Sequence, residues 1–250
     1  VCMLLRCRPF ILVLLALAAS VPVFAHEHRI TWLNDDLAPA FINVGPYQGK
    51  GIVDGVVAMY QEHMAAYEHE SVTANMIRIL EMMKLGEQVC YAGFIKTPER
   101  EEFIYFSKPN LVHISNVLIF KASATESLLQ HKQTASLAGL LDQGDLTIGI
   151  VQGRSYGHGI DSLLAAVPPD DPRVHLSNWD DMERLLALLD SGRIDCIIGF
   201  PWEFSYTIRN RSNKDNYQVA IIDEMAGEQW GLNFVGCPRN EWGRAAIEAI

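Results

Sequence analysis

The chain has 250 residues, 49% of them hydrophobic and 20% charged, which is enough for one large or two modest domains with a real core. Its formal net charge of -10 and the absence of a basic stripe argue against binding nucleic acid or an anionic membrane. The pattern also lacks a P-loop, an HExxH pair, an EF-hand loop, a CxxC pair and a Cys/His metal spacing.

Residues 1–25 read as a secretory signal peptide cleaved after Ala25. Arg6 and Arg8 supply the basic region, Phe10 to Ala19 the apolar run, and Val23-Phe24-Ala25 the small residues of a cleavage site. A periplasmic location follows as an expectation. Cleavage leaves 18 basic against 30 acidic residues, a net charge of -12. His26-Glu27-His28 is preferred as an unstructured terminus over a loose metal site. The mature chain keeps Cys90, Cys196 and Cys237, an odd number that permits at most one bridge. All three lie in apolar segments and read as buried structural thiols.

From Arg29 onward strands alternate with helices, the pattern of an α/β protein with mostly parallel sheets. Arg29 to Leu33 reads as a strand. Asp54 to Tyr67 reads as a helix with Val56, Val57, Tyr60 and Met64 on one face, Asp54 favouring its start. A strand at Ser71 to Ala74, a helix at Met76 to Leu85 and strands at Val89 to Phe94 and Leu111 to Phe120 follow. Ala122 to Gln133 is polar and reads as broken. The pattern then restarts with a strand at Leu146 to Val151, a helix at Tyr156 to Ala166 and a strand at Val174 to Leu176. A helix at Trp179 to Asp190 and strands at Ile194 to Phe200, Gln218 to Ile222 and Leu232 to Cys237 complete it. The helical pattern EWGRAAIEAI (241–250) has no exit signal and reads as a truncated end.

One unit is used twice. MIRILEMMKLGEQVCYAGF (76–94) and MERLLALLDSGRIDCIIGF (182–200) align without a gap, with seven of nineteen positions identical. Gly86 and Gly192 end the two helices, and Gly93 and Gly199 close the two strands. Two similar lobes with a cleft between them is the economical reading. Ligands in open α/β sheets lie beyond the carboxyl ends of strands, which places Thr97, Arg100 and Trp202 near that cleft. An arginine there can grip a carboxylate through two parallel hydrogen bonds.

GIVQGRSYGHG (149–159) follows a strand and opens a helix, so its N–H groups favour an anion, while Ser155 equally suits an N-cap. The stretch also matches GxSxG formally, which keeps a serine hydrolase at Ser155 as a minor alternative. The triad is missing its histidine: only His158 and His175 follow, and neither leaves room for the usual intervening elements. The protein is therefore read as not an enzyme. Phe41 and Trp202 stand at strand ends where an aromatic ring could wall a ligand.

TPER (97–100) with Phe106-Ser107 beyond it, PAF (39–41) and SGRIDCIIGF (191–200) resemble, in order, motifs of the family 3 extracellular solute-binding proteins, the polar amino-acid receptors of ABC importers. The resemblance runs from about Ile30 to the end. It implies a type II periplasmic-binding-protein fold: two lobes, each a mostly parallel sheet flanked by helices, joined by two hinge strands at about Ser115 to Lys121 and Gly231 to Gly236. Lobe 1 would take residues 26–116 and 233–250, and lobe 2 residues 117–232. By the same resemblance Arg100 holds a ligand carboxylate, Phe41 stacks on the ligand, and Arg154 and Ser155 reach the carboxylate from lobe 2. Gly93 and Ile95 stand where relatives carry small hydroxyl or backbone donors. Where relatives hold an α-ammonium with an acid, this chain reads Phe200-Pro201-Trp202, and Glu203 is the nearest acid. The implied ligand is a small polar, anionic or amino-acid-like solute, with an ABC permease as partner, a monomeric state and no cofactor or metal. A ligand-sensing module that signals to a partner protein is the alternative.

Overall fold

The computed structural model describes residues 29–129, 132–177, 182–225, 227 and 230–250. The signal-peptide reading, the His26-Glu27-His28 terminus and the start of the Trp179 helix lie outside them. Among the described residues eleven strands fall into two sheets. The first sheet contains β1 (Arg29–Asn34), β2 (Glu68–Thr73), β3 (Val89–Ile95) and β4 (Ile104–Ile114). The second contains β5 (Val117–Lys121), β6 (Thr134–Ala135), β7 (Ile148–Val151), β8 (Val174–Ser177), β9 (Cys196–Gly199) and β10 (Tyr217–Ile222). The last strand, β11 (Trp230–Pro238), returns to the first sheet, giving the orders β2-β1-β3-β11-β4 and β6-β10-β5-β9-β7-β8. Helices α1 (Ile52–His63), α2 (Met76–Leu85), α3 (Pro98–Glu101) and α9 (Glu241–Ala249) go with the first sheet. Helices α4 (Ala122–Leu129), α5 (Leu137–Gln143), α6 (His158–Ala165), α7 (Met182–Asp190) and α8 (Pro201–Ile208) go with the second. Among the described residues no helix is long and apolar enough to cross a membrane.

The two copies of the repeated unit occupy equivalent places. In each, a helix ends at a glycine in the left-handed region, Gly86 at φ 73° and Gly192 at φ 70°, where a Cβ would be strained. The strand that follows has one parallel and one antiparallel neighbour: β1 and β11 for β3, β7 and β5 for β9. The antiparallel neighbours are the chain's passages between the sheets, β4 into β5 and β10 into β11.

Each sheet is covered by its own apolar core. Trp32, Leu33, Ile79, Met83, Tyr91 and Phe94 fill the first. Because successive residues of a central strand point to opposite faces, β5 feeds two cores at once. Leu118 and Phe120 pack with Ile148 and Ile222, while Ile119 packs with Leu185, Leu186 and Phe204. Local signals set the helix starts. Asn75 accepts a hydrogen bond from the Arg78 N–H, and Asp54 accepts from the N–H groups of Gly51 and Ile42.

Three readings of the sequence need correction. The apolar run from Leu111 to Phe120 is two strands, broken at the buried pair Ser115-Asn116, where Asn116 donates to the Tyr156 carbonyl at 3.0 Å. Strand-forming residues flank the break on both sides, and what changes across it is the sheet being joined. The stretch from Ala122 is the helix α4 rather than a break, and its Leu129 is buried in the second core. Cys90 and Cys237 form a disulfide instead of two thiols, because antiparallel β3 and β11 bring side chains 147 residues apart into register. Cys196, the counterpart of Cys90 in the second repeat, is the free buried thiol, and burial pushes its pKa well above the usual thiol range.

A bridge closing so long a segment restricts the unfolded chain. Replacing both Cys90 and Cys237 with alanine is expected to cost about 2–4 kcal/mol of stability, read from urea unfolding. An unchanged midpoint would rule out a stabilising bridge.

Candidate functional site

A cavity of about 250 Å³ lies where the two lobes face each other. Its wall from the first lobe comes from the β1–α1 segment (Asp35, Phe41), the end of β3 (Tyr91, Gly93, Ile95) and Arg100 of α3. The second lobe supplies Arg154 and Ser155 from the β7–α6 loop and Phe200 and Trp202 from the β9–α8 junction. The passages between the sheets close the remaining side with Val112, His113, Ile114, Trp230 and Asn233.

Arg100 is presented by a one-turn helix that Pro98 starts and Thr97 caps, the Thr97 hydroxyl oxygen accepting from the Arg100 N–H at 3.3 Å. Its side chain folds inward and the residue is only 7% exposed. Nη1 donates to the Ile95 carbonyl at 2.7 Å, and Nη2 crosses to the second lobe and donates to the Gly153 carbonyl at 3.0 Å. The guanidinium lies over the Phe94 ring, 5.1 Å from its centroid. No carboxylate among the described residues forms a salt bridge with it. Burial pushes its pKa down, opposed by Asp161, Tyr91 and Glu99, yet a guanidinium stays protonated in any such setting. A buried cation held by neutral carbonyls creates a positive potential that an anion would relieve.

Arg154 is a different case. Its guanidinium makes a two-pronged contact with Glu203, at 2.8 and 3.4 Å, with both side chains almost wholly buried. The acid nearest in sequence to the β9 end is thus committed to locking the β7–α6 loop onto α8. Ser155 donates to Asp161 at 2.5 Å, and Asp161 also accepts from the Tyr156 N–H at 2.8 Å. Burial raises the Asp161 pKa, with those two hydrogen bonds and Arg100 acting against it. The Ser155 hydroxyl therefore points its proton at a carboxylate, not at a histidine base.

Of the residues singled out from sequence, Arg100, Phe41, Gly93, Arg154, Ser155 and Trp202 all line the cavity. Thr97 does not; it lines a neighbouring hollow and serves as the cap of α3. A Cβ on Gly93 would meet the Tyr91 phenol oxygen at 2.8 Å, and the Gly93 carbonyl accepts from Asn233 at 2.9 Å. Sequence reading missed Tyr91, whose hydroxyl donates to the fully buried Asp35 at 3.0 Å, and His113 and Trp230 on the passages. Tyr91 looked like one more apolar strand residue; the Asp35 carboxylate 56 positions away is what gives it a polar role.

No protein-family model matches the sequence, and no curated protein matches it either. Solved structures do share its fold. An amino acid ABC transporter substrate-binding protein of Streptococcus pneumoniae bound to L-arginine superposes with a TM-score of 0.63, at 20% identity over 89% of this chain and 86% of that one. A periplasmic binding protein of Salmonella typhimurium described for high arginine specificity gives 0.64, at 13% identity and 88% coverage of each chain. An ABC uptake transporter substrate-binding protein of S. pneumoniae with bound histidine gives 0.63, at 16% identity over 89% and 84%. The architecture is therefore the two-lobed periplasmic-binding-protein fold.

Two outcomes follow from the geometry. Glu203→Ala removes the carboxylate that faces the buried Arg154 guanidinium, and is expected to cost about 3–5 kcal/mol in urea unfolding, with Glu203→Gln costing less. His113 is packed edge-on against Phe200, 5.1 Å between centroids, and hydrogen-bonds the Ile114 carbonyl. Burial depresses its pKa, an effect only partly offset by that carbonyl. Between the folded and unfolded values the unfolded chain then binds more protons, so stability is full above the unfolded value of about 6.5 and declines as pH falls through it. The melting temperature is expected to drop between pH 7.5 and 5.5, and His113→Gln to narrow that drop.

Proposed function

We propose that this protein is an exported, monomeric solute-binding receptor that captures a small carboxylate-bearing solute between its lobes and delivers it to an ABC importer in the membrane. The observation that carries the reading is Arg100: a guanidinium buried at the lobe junction, its side chain hydrogen-bonded, among the described residues, to two carbonyls, and facing a cavity of ligand size. The shared fold supports the receptor role, and the Cys90–Cys237 disulfide supports an oxidising compartment outside the cytoplasm.

The residues then divide the work. Arg100 anchors the carboxylate. Phe41 and Trp202 wall the ligand from opposite lobes, and Gly93 lines the strand end beside it. Ser155 sits on the second-lobe side of the same space, in a loop whose position Arg154 and Glu203 maintain. Closure couples binding to shape: the Arg100 bond to Gly153 and the ligand's contacts to both lobes exist only when the lobes meet. A ligand that touches both lobes in that form alone shifts the population toward it. An importer that distinguishes closed from open receptor would then read ligand occupancy.

The test is calorimetry of the purified chain with amino acids, mono- and dicarboxylates and small inorganic anions. Arg100→Ala is expected to lose about 2–3 kcal/mol of affinity for whichever carboxylate binds. Arg100→Lys should recover less than half of that, since an ammonium cannot reproduce the planar fork. Unchanged affinity in Arg100→Ala would sink the assignment.

A further inference from the structure

The carboxylate anchor leaves open what the rest of the ligand is, and the remaining wall of the cavity is informative about it. At the carboxyl end of β9, where the second lobe meets the cavity, Phe200 and Trp202 stack with centroids 4.8 Å apart and planes 15° from parallel. Phe41 and Tyr91 face the cavity from the first lobe with centroids 5.5 Å apart. On the passage side, Val112, Ile114 and Trp230 line the same space while remaining 62%, 51% and 65% exposed, so apolar surface is there to be covered.

The acidic groups around the cavity already have partners within the protein. Among the described lining residues Asp35 is the only carboxylate, and it is fully buried behind the Tyr91 hydroxyl that donates to it. Glu203 is paired with Arg154, and Asp161 receives Ser155 and the Tyr156 N–H. A ligand ammonium held near the β9 end would therefore be stripped of water against aromatic rings, with a guanidinium nearby and no acid from the second lobe to receive it. A flat apolar group would instead fill the space at no such cost.

We propose that the cavity selects an aromatic monocarboxylate without an α-ammonium group, its carboxylate on Arg100 and its ring between Phe41 and the Phe200–Trp202 pair. This rests on the anchor reading above, and the test separates the two. Calorimetry compares matched ligands that differ only in the ammonium: 3-phenylpropionate against L-phenylalanine and indole-3-propionate against L-tryptophan, with L-arginine and glycine betaine alongside. The des-amino member of each pair is expected to bind at least tenfold tighter than its amino acid and than L-arginine or betaine, and to lose at least tenfold in Arg100→Ala. Equal or tighter binding of an amino acid or betaine overturns the inference. If that binding still falls in Arg100→Ala the anchor survives alone; if it does not, the anchor fails too. Absence of binding by either arylpropionate also overturns it. Phe200→Asp, which places an acid at the β9 end, is expected to bring L-phenylalanine within threefold of 3-phenylpropionate. Trp202→Ala, at a half-buried position with less risk to folding, should weaken 3-phenylpropionate at least fivefold, and unchanged affinity there overturns the aromatic wall.

Discussion

The Arg100 guanidinium sits at the junction of the lobes with carbonyl oxygens from both as its partners, Ile95 on one side and Gly153 on the other. Much of the surrounding architecture is arranged so that this can be so. A positive charge removed from water is costly unless dipoles or a counter-charge replace its hydration. Here the end of β3 turns one carbonyl inward, α3 supplies a rigid single turn to direct the side chain, and Phe94 offers the face of its ring. The second lobe contributes its carbonyl only by coming close enough that Gly153 approaches Met76, Ile77 and Leu80 of α2.

The second lobe treats its arginine in the opposite way. Arg154 is buried as deeply, but Glu203 neutralises it through two contacts, and the pair ties the β7–α6 loop to α8. One cavity wall thus carries a cation with neutral partners and the other carries a closed ion pair. Such a pair contributes little net stability and a good deal of positional definition. The cavity thus has a guanidinium at one end with the Asp161 carboxylate acting on it, the Asp35 carboxylate in its first-lobe wall, and a largely apolar remainder.

The repeated helix–strand unit shows both the likeness and the difference between the lobes. In each copy a helix stops at a left-handed glycine and a short buried strand runs toward the cavity between one parallel and one antiparallel neighbour. Past the strand the copies diverge. The first continues into a capped turn that delivers Arg100; the second enters α8 at Pro201 and presents Phe200, Trp202 and Glu203. The cysteines follow suit: Cys90 is bonded to a strand that returns from the other lobe, and Cys196 stays a free thiol buried in the second core.

What the sequence determined by itself was whatever depends on near neighbours in the chain. Helix periodicity, the Gly86 and Gly192 stops, the Pro-started turn at Arg100 and the alternation of strands and helices are all local, and the resemblance of short motifs extended them to a two-lobed fold. The cavity residues at strand ends were legible for the same reason, since topology alone sends strand ends to the cleft. Tertiary structure decided everything that turns on distant partners. Arg154 meets Glu203 across 49 positions, Tyr91 meets Asp35 across 56, and Cys90 meets Cys237 across 147. Nothing in the composition of those segments distinguishes an arginine hydrogen-bonded to carbonyls from one paired with a carboxylate. That difference lies in what each charge faces once water has been excluded, and only the packed chain fixes which partners are present there.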